Sequence, residues 1–257
     1  MNYGLYLSAS GVLTSMYRQD VFANNLANVQ TVGFKPDIPT VREREPESVE
    51  GGHGGAFRQV LLDKLGGGVL AGQQRMNWKV GSPMKTENPL DAALNGENSF
   101  FVVQDPSREG IELTRDGRFT MDSMGRLVTT AGGHAVLDEG DRPIVLRLDQ
   151  QATINPQGQV FQGGQVVAQI QVTGVGDVGK LRKQGENLLG FAGGEDMRVK
   201  PQDANMTPGF VEASGVDSVR ALMDLVSATK AVSANGNMIR FHDGMMDRAV
   251  NTLGRLA

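Results

Sequence analysis

Apolar residues near the start of the chain recur at helical spacing. Steps of four and three residues, with Gln19 as the one polar member of the series, join these positions: Leu5, Ala9, Val12, Met16, Ala23 and Leu26. An average spacing of 3.5 residues is typical of a helix that packs along a coiled-coil seam. Gly33 and Pro36 follow, and both residue types commonly end helices. The pattern therefore predicts a helix from about residue 4 to residue 30.

The last part of the chain carries a similar and longer pattern. Steps of three and four residues from position 222 pass through Thr229, Gly236, Asp243 and seven apolar residues, which are Leu222, Leu225, Val232, Ile239, Met246, Val250 and Leu253. Ser214 and Asp217 fit a capping box in which Asp replaces Glu, and this would set the start of a helix. Because glycine weakens a helix, we expect Gly236 and Gly244 either to permit close packing or to mark a bend.

Short apolar runs separated by turn residues fill the middle of the chain. They lie at 99–104, 111–115, 118–122, 126–130, 134–138, 143–148, 159–162 and 165–173. Asp116 and Gly117 form the strongest local signal for a two-residue hairpin turn. No helix-length segment is available for parallel crossovers, so the runs predict a mostly antiparallel β domain.

These patterns predict an α+β protein whose long terminal helices pair as a coiled coil beside a central β domain. The expected divisions are residues 1–35 for the first helix, 84–208 for the β domain and 209–257 for the last helix. Residues 36–83 are rich in glycine, proline and charge, which indicates an extended connector with possible short strands.

Three asparagines near the end of the first helix raise a question about its surroundings. Asn24, Asn25 and Asn28 stand in a segment of 34 residues whose only charged members are Arg18 and Asp20. On a helical wheel the three amides share a face opposite the apolar seam. A neutral amide face suits an interface from which water is excluded. The alternative is that these residues merely unwind the helix end.

Composition narrows the function classes. The chain has 257 residues, a net charge of −4 and no cysteine, so it lacks disulfides, thiolate ligands and the basic excess of a nucleic-acid-binding protein. No apolar stretch approaches the roughly 18 residues of a membrane span. The first 17 residues carry no charged side chain, so we expect export without an ordinary cleaved signal peptide.

Motifs that would indicate catalysis or ligand binding are weak. Gly174, Gly176 and Gly179 satisfy a Gly-x-Gly-x-x-Gly pattern, but the segment that follows is too short for the helix that a phosphate site requires. His53, His134 and His242 lie in unrelated segments and predict no metal site. We therefore expect no catalytic, cofactor-binding or metal-binding residues.

Four longer blocks resemble the family of bacterial flagellar rod and hook proteins. Residues 8–35, with "NNLAN" and "GFK", resemble its N-terminal signature, and residues 209–253 resemble its C-terminal block. Residues 88–104 and 113–129 are similar to the family's "NPLD" and "TRxGxF" blocks. Ser99 and Gly215 depart from the pattern, standing where the family has glycine and asparagine.

The resemblance implies a structural subunit of the periplasmic rod of the flagellar basal body, the shaft that transmits torque. It implies as partners the flagellar export apparatus and other rod subunits, identical or homologous, with no nucleic acid and no membrane insertion. A hook or hook-associated protein is the alternative, although the chain is short for a hook protein. Residues 171–189 and 249–256 slightly favour the proximal over the distal rod type.

On this interpretation the terminal helices polymerise helically and carry the assembly interface. The seam residues and the three asparagines are its predicted members. Because isolated helices are marginal, both terminal segments should be largely disordered in the free monomer and proteolysis should leave a core near residues 70–208. An extracellular enzyme on a β scaffold is the competing class, and it lacks a catalytic constellation.

Overall fold

Two compact units make up the protein. The computed structural model describes residues 2–45, 67–105, 110–192, 196–201 and 204–253. Unit 1 comprises residues 1–27, 37–75 and 217–257, and unit 2 comprises residues 28–36 and 76–216. His53 and residues 46–66 of the predicted connector lie outside the described residues.

Two long helices dominate unit 1, as the periodicity predicts. Helix α1 spans Asn2–Ala27 and helix α2 spans Ser218–Leu253. Helix α1 ends three residues before the predicted boundary at 30, and a turn leads to Gly33, whose φ is +68°. Gly33 therefore does not cap the helix, which ends six residues earlier, and its positive φ and the approach of the Arg115 backbone to within 2.6 Å of a built Cβ are what require glycine here.

The predicted capping box at the start of α2 is wrong. Asp217 itself caps the helix, because its Oδ1 accepts hydrogen bonds from the backbone N–H groups of Val219 and Arg220, both at 3.0 Å. Ser214 instead donates its hydroxyl hydrogen to the carbonyl oxygen of Asn28 at 2.9 Å. Aspartate at position 217 therefore performs alone the role that the box divides between two residues.

The described residues between the two helices form a series of short strands. Their bounds are β1 Asp37–Ile38, β2 Val41–Glu43, β3 Val69–Ala71, β4 Arg75–Met76, β5 Pro83–Lys85, β6 Ala92–Leu94, β7 Phe100–Gln104, β8 Glu112–Thr114, β9 Phe119–Met121, β10 Leu127–Thr129, β11 Ala135–Val136, β12 Ala152–Ile154, β13 Gln159–Gln162, β14 Gln165–Gln169, β15 Val172–Val175, β16 Leu181–Gly185, β17 Leu188–Phe191, β18 Arg198–Val199, β19 Met206–Pro208 and β20 Phe210–Glu212. A single-turn 3-10 helix, Val178–Lys180, precedes β16.

The strand pairings described within unit 2 are all antiparallel, which confirms the predicted α+β class with a central antiparallel domain. Its main sheet runs in the order β16-β17-β8-β7-β11-β10-β9, and β15 pairs with β7 and β18. Smaller sheets are formed by β12-β13-β14, by β6 with β19, and by β5 with β20. In unit 1, β2 pairs with β3.

The Asp116–Gly117 hairpin is not formed. Strands β8 and β9, which this dipeptide connects, are not neighbours in the sheet, and β9 pairs with β10 instead. Gly117 is required for a different reason. A Cβ atom at this position would lie 1.8 Å from the carbonyl oxygen of Ala92, so the backbone passes too close for any side chain. The predicted strand at 143–148 is also wrong, since it forms only isolated bridges.

The core of unit 2 lies on both sides of β7. Phe101 and Val103 belong to one cluster of buried side chains, and Phe100 and Val102 belong to a second. All four side chains have no solvent exposure. Successive residues of a strand point to opposite faces, so this unbroken apolar run indicates a strand that is covered on both faces.

Candidate assembly interface

The predicted seam residues of α1 divide between buried and exposed positions. Leu5, Ala9, Val12 and Leu26 are half-buried within the chain, whereas Met16 is 48% exposed. The most deeply buried positions of α1 are instead occupied by Ser8, Thr14, Ser15, Val21 and Asn25. The interior-facing side of α1 is therefore more polar and smaller in side-chain volume than the apolar pattern predicts.

The predicted seam residues of α2 also divide between half-buried and exposed positions. Leu225, Val232, Ile239 and Met246 are half-buried, and Leu222 and Val250 are 52% and 72% exposed. The side chain of Leu253 lies outside the described part of the chain. The predicted stripe also included positions 222, 229, 236, 243 and 250. In each case the preceding residue is buried or half-buried, and these residues are Ala221, Ala228, Asn235, His242 and Ala249.

Two glycines of α1 set the approach of the helices. A Cβ atom built on Gly4 would lie 2.8 Å from the His242 ring, and one built on Gly11 would lie 3.0 Å from the Asn235 amide. Both glycines and both partners are seven residues apart and run in opposite order, so the helices are antiparallel. Gly236 and Gly244 have nothing within 4 Å of a built Cβ, so they set no close approach between the described elements of this chain.

The helix pair leaves many large apolar side chains uncovered within the chain. We call these residues the outer apolar surface: Tyr6, Leu13 and Met16 of α1, and Val219, Leu222, Met223, Val226, Met238, Phe241, Met245 and Val250 of α2. Leu13, Met223 and Phe241 are 68%, 67% and 63% exposed. Apart from Val250, those of α2 fall within about 160° of arc on the side away from Gly4 and Gly11. Exposed apolar patches of this kind mark sites of association.

The three asparagines have different environments and do not share one face. Asn25 is buried and binds the backbone of Asp37 twice, donating from Nδ2 to the carbonyl oxygen at 2.7 Å and accepting its N–H at 2.9 Å. Asn24 is exposed on the helix. Asn28 lies in the turn after α1, and its side-chain oxygen accepts from Thr31 at 3.0 Å. The sequence did not predict that the side-chain amide of Asn25 would bind both the N–H and the carbonyl group of one residue in β1.

A buried group of three charged residues, missed by sequence reasoning, lies in unit 2. Glu212 accepts from Lys35 Nζ at 2.6 Å and from Arg115 Nε at 2.8 Å, and all three side chains are at most 3% exposed. Lys35 comes from the "GFK" segment, Arg115 follows β8, and Glu212 ends β20. One carboxylate thus joins three segments that are distant in sequence.

The surroundings of Glu212 compensate for the burial of these charges. The backbone N–H of Gly81 donates to Glu212 Oε1 at 2.7 Å, and Lys35 Nζ also donates to the carbonyl oxygen of Lys79 at 2.9 Å. Arg115 Nη1 donates to the carbonyl oxygens of Gly96 and Ser99. Burial lowers the pKa of the Lys35 ammonium, the Arg115 charge lowers it further, and Glu212 opposes both effects.

The motifs set aside in the sequence have structural roles. Gly174 lies in β15, and Gly179 lies in the 3-10 helix, where Asp177 accepts its N–H at 2.9 Å. Among the described residues no group of three or more His, Cys, Asp and Glu side chains could hold a metal ion. In the same residues no helix is both long enough and apolar enough to cross a membrane.

Comparison with known proteins identifies three matching regions. Residues 5–35 match the family model described as "Flagella basal body rod protein", and residues 93–173 match "Flagellar hook protein FlgE/F/G D1 domain". Residues 207–252 match "Flagellar basal body rod FlgEFG protein C-terminal". The first and last matches cover nearly all of α1 and nearly all of α2.

Curated relatives match over the full length. The chain is 32% identical to the flagellar basal-body rod protein FlgF of Caulobacter vibrioides over 100% of both chains. It is 30% identical to FlgF of Rhizobium meliloti over 99% of both. It is also 30% identical to the rod protein FlgG of Caulobacter vibrioides, over 94% of this chain and 96% of that protein.

These matches place the chain among flagellar structural proteins. Within that class, the chain belongs to the flagellar basal-body rod and hook protein family. The family resemblance inferred from the four sequence blocks is thereby confirmed.

Proposed function

We propose that this chain is a structural subunit of the flagellar basal-body rod, and that it polymerises helically through α1 and α2 to form the shaft that transmits torque. The role is structural and involves no catalytic step. The names of the relatives in Rhizobium meliloti and Caulobacter vibrioides support the rod over the hook. The motif resemblance of residues 171–189 and 249–256 supports the proximal rod type.

The observation that carries this proposal is the outer apolar surface. Of the apolar residues that the structure describes in unit 1, only Val21, Ala221 and Ala228 are buried, while eleven large ones are exposed on the two helices. Covering an apolar side chain contributes about 1.5–3 kcal/mol, so neighbouring subunits that enclose this surface would stabilise the helices strongly. Head-to-tail contacts that do not close then generate a helical polymer.

The same imbalance supports partial disorder before assembly. Helices without partners are marginally stable, and α1 and α2 bury little apolar surface against each other. In the dilute monomer, proteolysis should therefore remove both terminal helices and leave a core near residues 70–208. A chain with unfolded ends also suits passage through the flagellar export apparatus.

A pair of substitutions separates assembly from folding. Leu13→Glu and Phe241→Glu place charges in the centre of the outer apolar surface, where both side chains are more than 60% exposed in the single chain. We expect an intact β unit but loss of the chain from purified basal bodies and loss of swimming. Val166→Glu, at an exposed position of β14 in unit 2, is the matched control. Normal swimming by the Leu13 and Phe241 variants would refute helical assembly through this surface.

A further inference from the structure

The two segments that adjoin the terminal helices are bonded to each other within unit 2. Residues 28–36 directly follow α1, and residues 210–216 lead into α2. We call these two segments together the joint. The Ser214 hydroxyl donates to the carbonyl oxygen of Asn28 at 2.9 Å, and these two residues stand one position after α1 and four positions before α2. One hydrogen bond therefore holds the end of α1 close to the start of α2.

Backbone bonds join the two segments along their length. The Gly33 N–H donates to the carbonyl oxygen of Glu212 at 2.7 Å, and the Gly215 N–H donates to the carbonyl oxygen of Phe34 at 2.9 Å. A Cβ atom built on Gly215 would lie 3.0 Å from Cδ of Pro36. The segments are thus in close contact at both ends of the paired stretch, and they form one structure.

The joint is anchored in the β unit by burial and charge. Val32 and Phe34 are 5% and 6% exposed, and Nδ2 of Asn187 donates to the Val32 carbonyl oxygen at 2.7 Å. The buried bond of 2.6 Å from Lys35 Nζ to Glu212 spans the two segments. Opening the joint would expose two apolar side chains and break a charge-assisted hydrogen bond in one step, so the joint should open as rarely as the core of unit 2.

We infer that the joint stays folded in the free chain, while both terminal helices are disordered, and that it presents the two helix ends side by side to the assembling rod. This inference rests on the proposed rod function. It also extends the folded part of the free chain beyond the residues 70–208 expected above. Because α1 ends and α2 begins at the joint, the loop between them is already closed and their pairing becomes an intramolecular event.

Hydrogen–deuterium exchange of the purified full chain, followed by mass spectrometry of its peptides, tests the inference. Peptides covering residues 31–36 and 211–216 should exchange as slowly as the β7 peptide, residues 100–104. They should exchange roughly a hundredfold more slowly than peptides from α1 and α2. Equal exchange in the joint and helix peptides, whether fast or slow, would overturn the inference.

Two variants show whether the joint opens separately from the rest of unit 2. Glu212→Gln keeps the shape of the side chain and removes its charge, and it should speed exchange in the joint peptides about tenfold more than in the β13 peptide, residues 159–162. Val160→Ala is the matched control, because Val160 is fully buried in a core cluster that contains no joint residue. It should speed exchange in β13 at least as much as in the joint. The same ratio of joint to β13 exchange in both variants would overturn the inference.

Ser214→Ala provides a milder change if Glu212→Gln fails to fold. It leaves the ion pair in place and removes only the bond to Asn28. Exchange should rise severalfold in the joint peptides and stay unchanged in β13. Unchanged exchange in the joint peptides of this variant would contradict a joint held in part by that bond.

Incorporation into basal bodies distinguishes this inference from the proposed function. At equal cellular amounts, tagged Glu212→Gln or Ser214→Ala should be incorporated severalfold less than tagged Val160→Ala. Equal incorporation would mean that the joint does not present the helices, so the inference would fail and the rod function would stand. Absence of the tagged wild-type chain from basal bodies would refute the rod function itself.

Discussion

The two units achieve order by different means. Unit 2 buries two clusters of apolar side chains on the two faces of β7, with aromatic pairs such as Phe101 and Phe119 whose ring centroids are 5.0 Å apart. In unit 1, Gly4 and Gly11 of α1 approach His242 and Asn235 of α2, and eleven large apolar side chains of the two helices are exposed within the chain. The difference shows that unit 2 has a complete core within the chain, whereas the helices of unit 1 leave an apolar surface that neighbouring subunits would cover in the proposed rod.

Removing the carboxylate of Glu212 should have the largest effect on unit 2. Glu212→Ala leaves Lys35 and Arg115 as buried cations without their shared partner, which typically costs about 3–5 kcal/mol. Urea unfolding followed by the fluorescence of Trp78, the single tryptophan of the chain, measures the loss. Arg142→Ala is the control, because its ion pair with Asp138 is exposed and should contribute at most about 1 kcal/mol. If both variants lose a similar free energy of unfolding, the burial of the Glu212 carboxylate does not determine its contribution to stability.

A side chain at Gly11 should affect unit 1 and spare unit 2. Gly11→Leu drives a branched side chain into Asn235, and overpacking of this kind costs about 1–3 kcal/mol in each subunit. We expect a reduced amount of the chain in purified basal bodies and slower swimming, with the urea transition of Trp78 unchanged.

Gly236→Ala provides the matched control for that experiment. Nothing lies within 4 Å of a Cβ at position 236, and alanine favours a helix by about 1 kcal/mol over glycine. Incorporation of this variant should equal or exceed that of the wild type. If Gly11→Leu is incorporated as well as Gly236→Ala, the close approach of α1 and α2 is not required in the rod.

The sequence predicts the helices and most strands of this fold but not which stripe of each helix faces the other. Leu222 and Leu225 are equally apolar, and periodicity alone cannot choose between neighbouring stripes. The choice depends on the partner, because Gly4 and Gly11 provide space that Asn235 and His242 fill. The most deeply buried positions consequently hold small or polar residues, while large apolar residues such as Leu225 and Ile239 are half-buried and others such as Leu222 are exposed.

Long-range pairing explains the other differences. Asp116 and Gly117 form a local turn signal, yet Gly117 is needed because the chain passes Ala92, a contact that no local pattern encodes. Glu212 follows the apolar residues Phe210 and Val211, but Arg115 stands beside Glu112, Asp116 and Arg118, so charge pattern alone does not indicate a buried ion group. The pairing of Lys35, Arg115 and Glu212 depends on the fold and could not be read from spacing.

The smallest expected effects concern pH, and they have opposite signs in the two units. Burial raises the pKa of the Tyr17 phenol in unit 1 above 10.0, and burial lowers the pKa of the Lys35 ammonium in unit 2 below 10.5. The contribution of Tyr17 to stability is complete below pH 10.0 and is lost as pH rises through its raised pKa. Lys35 behaves oppositely, because between its lowered pKa and 10.5 the unfolded chain binds the proton and the folded unit does not.

Lys35→Met tests this difference in unit 2. The free energy of unfolding from Trp78 fluorescence, measured in steps from neutral pH to 10.5, should rise for the wild type relative to Lys35→Met in the window below 10.5. Tyr17→Phe is the counterpart in unit 1. An ultraviolet difference titration against the wild type should show one phenol of the three titrating later than the others. A constant difference between wild type and Lys35→Met at every pH would mean that the Lys35 ammonium is held in the folded unit as readily as in water.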